Sequence, residues 1–152
     1  MIDMTTLQQF QQTPGFALWQ TTNRWQKAMA EALKPLDLTY VQVMLLAGVM
    51  QLSQQDKVVT QNSVAHYSQA DVMMTSKVCR TLEKKGLLLR ANNRFDNRAK
   101  TLVVTKMGSS LLRKALMSVQ SVDDAFFNVL PDVQQFSEIL AALPSSKTDI
   151  PP

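Results

Sequence analysis

The chain has 152 residues, 45% of them hydrophobic and 18% charged, which suits one compact domain with helical extensions and argues against disorder. No apolar run is long enough to span a bilayer, the start Met1-Ile2-Asp3-Met4 has no signal-peptide pattern, and the single cysteine, Cys79, excludes an internal disulfide, so a reducing cytoplasmic setting is expected. The net charge of +4 is unevenly placed: residues 77–114 hold eleven Lys or Arg against Glu83 and Asp96, a local +9, while the remainder, with five basic and ten acidic side chains, is −5. Cations gathered in this way point to a polyanionic partner.

Thr13-Pro14-Gly15 breaks the chain. From Phe16 to about Leu36 the apolar residues recur at helical spacing, and Pro35 and Asp37 stop the run. Thr39 caps a second helix, Tyr40 to about Leu52, which is apolar nearly all round and therefore expected at the centre. After a polar connector, Val58-Val59 suits one short strand. Thr60 caps a short helix over Gln61–Tyr67, Ser68-Gln69-Ala70 makes a tight turn, and Asp71 caps a helix that runs to Lys85 and is closed by Gly86. Leu87–Ala91 and Thr101–Val104 read as strands joined by residues 92–100. Thr105 caps a long helix from Lys106 to about Leu130, and Pro131-Asp132 restarts a shorter one ending near Leu143.

Two helices about a tight turn, followed at once by a hairpin, make a winged helix-turn-helix. The expected fold is mainly α, with a two- or three-stranded β wing and long terminal helices. It divides into an N-terminal dimerisation helix (1–38), the winged helix-turn-helix (39–104), C-terminal dimerisation helices (105–143) and a frayed tail (144–152).

On a helical wheel of residues 71–85, Val78, Cys79 and Leu82, with Val72 and Thr75 above them, face inward. Met73, Ser76, Lys77 and Arg80 face outward. Ser and Lys donate to phosphates or base edges, Arg forks onto guanine, and Met73 and Met74 suit a thymine methyl. The competing reading is a solvated charged helix face. Cys79 lies on the packing face without a second cysteine, which favours a small core residue over a redox sensor. The 92–100 loop is basic at its tip. Asp96 is suited to holding Arg94 or Arg98 in place, and arginine is the residue that enters narrow minor grooves. The candidate DNA-contacting set is Gln61, Ser63, Asp71, Met73, Met74, Ser76, Lys77, Arg80, Arg94, Asp96, Asn97, Arg98 and Lys100.

Phe10 and Phe16 near one end, and Phe126, Phe127, Leu130, Phe136 and Leu140 near the other, exceed what a small winged-helix core needs, so an isologous homodimer is expected. Its two reading helices would then meet a near-palindromic operator about one turn, roughly 34–36 Å, apart. Trp19, Asn23, Trp25, Tyr40 and Met44 can line an apolar cleft with a few polar groups, although core and dimer packing accounts for the same residues.

Three fragments in order, FALWQTTNRWQKAMAEALKPLDLTYVQVMLL, VTQNSVAHYSQADVMMTSKVCRTLEKKGLLLR and DNRAKTLVVTKMG, resemble the MarR-type (multiple antibiotic resistance regulator) transcription factors over about Phe16 to Leu116. The most specific pieces are Leu82-Glu83-Lys84-Lys85-Gly86-Leu87, Asp96-x-Arg98-Ala99-Lys100 and Thr105-x-x-Gly108. The resemblance implies a homodimeric winged helix-turn-helix, usually a repressor released from DNA by a small, often aromatic or phenolic, compound. It also implies that Asp96 and Arg98 form the wing pair, with Arg98 in the minor groove and Ser76, Lys77 and Arg80 at the major groove. Two departures bear on DNA contact. Many members carry a second Asp-x-Arg where this chain has Asn93-Arg94-Phe95, and Met73-Met74 replaces small hydroxyl residues.

An enzyme is disfavoured: G-x-S-x-G, P-loop, G-x-G-x-x-G and H-E-x-x-H patterns are absent, and one His and one Cys leave little for acid–base work. His66 stands in no metal-ligand spacing, and neither a metal nor another cofactor is expected. The remaining rival is a winged helix used as a protein-interaction module without DNA binding.

Overall fold

The computed structural model describes residues 3–55, 58–92 and 100–144. A short helix, α1 (Met4–Gln11), precedes the first expected one. Thr13 is a start as well as a break: its Oγ1 accepts from the Phe16 amide at 3.2 Å, and Pro14 fills the first helical position, where a missing N–H costs nothing. The helix α2 therefore spans Pro14–Leu33, earlier at both ends than the pattern suggested. Pro35 cannot continue the α ladder, so Lys34–Leu36 tighten into a 3-10 turn that ends at Asp37 in the left-handed region, φ 51°.

Thr39 and Gln42 form a reciprocal capping box that opens α3 (Tyr40–Ser53). Val43, Leu45, Leu46 and Val49 of α3 are buried, so this helix is the centre of the domain, as its near-uniform apolarity implied. Val41 and Met44 are the exceptions and stay exposed. Thr60 and Ser63 build a second box at the start of α4 (Gln61–Tyr67). Gln69, at φ 49°, turns the chain into α5 (Val72–Lys84), and Gly86, at φ 70°, turns it out again.

The hairpin pairs β1 (Leu88–Asn92) with β2 (Lys100–Val104) antiparallel, Leu88 opposite Val104 and Asn92 opposite Lys100. The third strand expected at Val58-Val59 shrinks to one bridge, Thr60 to Thr101, because Thr60 has to turn at once into its capping role. Thr105 caps α6 (Lys106–Phe127), and Asp132 caps α7 (Val133–Ala141). A single core cluster runs through α2, α3, α4, α5, both strands and α6. Met29 and Leu33 of α2 and Leu112 and Ala115 of α6 thus share one interior with Cys79 and Leu82 of α5.

Candidate nucleic-acid interface

The reading helix α5 is held from below and bare above. Thr75, Cys79 and Leu82 are buried, at i, i+4 and i+7. The whole first turn, Asp71 to Met74, is exposed. Val72 is accordingly 50% exposed instead of packed, because the helix there has run past the core. Met73, at 83%, projects furthest, and Lys77 and Arg80 are exposed along the same side. Arg80 Nη2 donates to Ser76 Oγ at 3.2 Å, which lays the guanidinium along the outer face. Asp71 Oδ1 accepts from the Met74 amide at 2.8 Å, so this carboxylate serves as the helix cap, where it complements the helix dipole. Cys79 is fully buried, and burial pushes its thiol up to about 11, Arg90 opposing and Glu83 adding to the shift. At neutral pH it is a protonated core side chain.

The two candidates on α4 have inward tasks. Ser63 Oγ accepts from the Thr60 amide and donates to the Thr60 carbonyl, both at 2.9 Å, so its hydroxyl is taken up by the cap. Gln61 Oε1 accepts from Arg90 Nε at 3.0 Å, and Arg90 Nη1 also pairs with Glu83 Oε2 at 3.2 Å. Arg90, which makes both bonds, stood outside the candidate set. The available signal was a lone cation at an inward position of the apolar run Leu87–Ala91, opposite the buried Leu102.

In the wing, Lys100 opens β2 and donates to Asn92 across the ladder. Arg94, Asp96, Asn97 and Arg98 lie outside the described residues. The base of the wing is fixed by Thr105. Its hydroxyl donates to the Gly86 carbonyl at 2.7 Å and accepts from the Gly108 amide at 2.9 Å, and its own amide donates to the Leu87 carbonyl at 3.1 Å. Lys85, the residue after α5, pairs with Asp37 Oδ2 at 2.9 Å and so ties the reading helix to the α2–α3 turn.

Among the candidate cleft residues, Trp25 and Tyr40 meet edge to face, 4.8 Å between centroids. Trp25 Nε1 donates to Asp123 Oδ1 at 2.8 Å, joining α2 to α6. Burial, and secondarily the Asp123 charge, raise the Tyr40 hydroxyl pKa above its ordinary value. Trp19 does not join them: it is 63% exposed and stacks on Phe16 at 6.3 Å. Asn23 and Met44 are exposed. Tyr40 lines an open cleft of about 620 Å³ that also reaches Asp37 and Lys85. Of the candidate dimer residues, Phe10 and Leu140 are exposed. Phe16, Phe126, Phe127, Leu130 and Phe136 are half-buried, with Phe10–Phe16 and Phe126–Phe127 each 5.1 Å apart and Phe127–Phe136 5.7 Å.

Two helices about a tight turn, a hairpin packed beside the second, and a protruding basic face define a winged helix-turn-helix transcriptional regulator. Within that class the chain belongs to the MarR family. It is 43% identical over 115 residues to the uncharacterized HTH-type transcriptional regulator YdcH of Bacillus subtilis strain 168, covering 76% of this chain and 78% of that protein. A MarR-family regulator from Rhodococcus sp. RHA1 superposes with a TM-score of 0.73 at 25% identity, over 85% of this chain and 90% of that one. MosR of M. tuberculosis, solved in complex with DNA, shares the fold with a TM-score of 0.75 at 19% identity, over 87% of this chain and 93% of that one. No protein-family model matches the chain.

Proposed function

We propose that the protein is a homodimeric repressor that binds near-palindromic double-stranded DNA and is released by a small aromatic or phenolic compound. The outer face of α5 enters the major groove, with Met73, Met74, Ser76, Lys77 and Arg80 as the readers and Arg98 of the wing loop in the flanking minor groove. The observation that carries this reading is the bare first turn of α5, which stands clear of the core and continues into exposed Lys77 and Arg80. A helix face that served only solvation would have no need to project beyond its own domain. The effector would enter the open α2–α3 cleft lined by Tyr40, on whose ring Trp25 packs edge to face. A ligand held there also touches Lys85, at the end of the reading helix.

Fluorescence anisotropy with duplex DNA from the region flanking the protein's own gene tests the reading. The logarithm of the binding constant falls steeply with the logarithm of salt, by about 0.9 per phosphate neutralised. A flat profile, or no binding at low salt, overturns it and leaves the protein-interaction module. Adding 4-hydroxybenzoate to the complex is expected to weaken binding and to change the emission of Trp25.

A further inference from the structure

Arg90 sits in an apolar strand on the face it shares with the buried Leu88 and Leu102, and its side chain is only 14% exposed. A guanidinium drawn in this far is tolerated when its charge is paired and its donors are met. Glu83 on α5 and Gln61 on α4 meet those needs from two other elements, at 3.2 and 3.0 Å. Arginine carries donors only, so the group that Gln61 turns toward it has to be the carbonyl oxygen. That fixes the Gln61 amide in one of its two orientations. The Nε2 group then points away from Arg90 and has no partner among the described residues. In a helix-turn-helix the helix before the reading helix crosses the DNA backbone, and glutamine is among the side chains that donate to phosphate.

We propose that Arg90 is a positioning residue for DNA binding and Gln61 the contact it positions. The Glu83–Arg90–Gln61 chain presents the Gln61 amide as a donor to a backbone phosphate and locks the first wing strand to the reading helix. The proposal rests on the DNA-binding reading above. Arg90 itself stays off the DNA, its charge already answered by Glu83.

Anisotropy on one duplex, with thermal melting of the same full-length variants, separates the outcomes. Gln61→Glu keeps an acceptor toward Arg90, so the melting temperature holds or rises. It loses the outward donor, and affinity falls by about tenfold. The neutral Gln61→Met moves affinity in the same direction, by roughly threefold or more, which separates donor loss from added charge. Arg90→Met lowers affinity but leaves the salt slope at the wild-type value, whereas a direct phosphate contact takes about 0.9 off it. If Arg90→Met does not fold, Arg90→Lys, which keeps the charge without the rigid fork, is read the same way. A folded Gln61→Glu variant with wild-type affinity, or an arginine variant with the reduced slope, overturns the proposal. Wild-type protein that ignores duplex DNA overturns the underlying reading instead.

Discussion

Arg80 and Ser76 stand one turn apart on α5, and in the free protein each is the other's partner. Such an exposed hydrogen bond is worth little against water, so it is readily exchanged when a base edge arrives. The guanidinium then has a fork of donors for guanine O6 and N7. Arg80→Ala is therefore expected to relax choice at one base position, by about 1–3 kcal/mol of discrimination, in affinities measured over single-base operator variants. Equal weakening across all variants marks it as a phosphate contact. One residue back along the helix, Cys79 points the other way into a closed interior, its thiol protonated at neutral pH because burial disfavours the thiolate. Adjacent residues are thus assigned opposite tasks by a 100° rotation alone.

At the scale of elements, the join between reading helix, wing and α6 turns on Thr105 and Gly108. A Cβ on Gly108 would lie 2.1 Å from the Leu87 carbonyl oxygen, a backbone atom that cannot swing aside. Gly108→Ala has to push α6 off the wing base and is expected to cost about 1–3 kcal/mol or more, read as a lower midpoint in urea unfolding; an unchanged midpoint would mean that the two elements do not press together. The motif Thr105-x-x-Gly108 was visible in the sequence, but not why the glycine is needed. The same division runs through the chain. Caps at Thr39, Thr60, Asp71 and Thr105 were legible because each bond closes within three residues. The brace from Arg90 to Gln61 spans 29 residues and the Trp25–Asp123 bond 98, and no local spacing encodes either. Thr13-Pro14-Gly15 was legible only as punctuation, since the same residues that end one helix also suit the start of the next.

The whole molecule leaves its two ends unfinished. Neither α1 nor α7 contains a buried residue, and Phe10, Leu18, Trp19, Ile139 and Leu140 are all exposed. Leaving that much apolar surface wet in a chain with a complete core of its own is costly, at roughly 25 cal/mol per Å². A second copy placing the same surfaces against the first removes the cost with one symmetry operation. The long helices α2 and α6, which lead out to those ends, are joined to the reading head: Trp25 and Asp123 bond α2 to α6, the core cluster links both to α5, and Asp37 holds Lys85 at the end of α5. Whatever fixes the angle between two copies therefore fixes the spacing of two reading helices, and only a spacing of about 34–36 Å, or a multiple, suits successive major grooves. Light scattering at micromolar concentration is expected to give twice the 17.1 kDa chain mass. A charge placed on each end, Phe10→Asp with Leu140→Asp, is expected to return the single-chain mass with the melting of the winged core preserved. It should also lower affinity for a two-half-site operator far more than for an isolated half-site, because a monomer engages only one groove at a time. A wild-type protein found only at 17.1 kDa would remove the dimer, and with it the geometric reason for a palindromic operator.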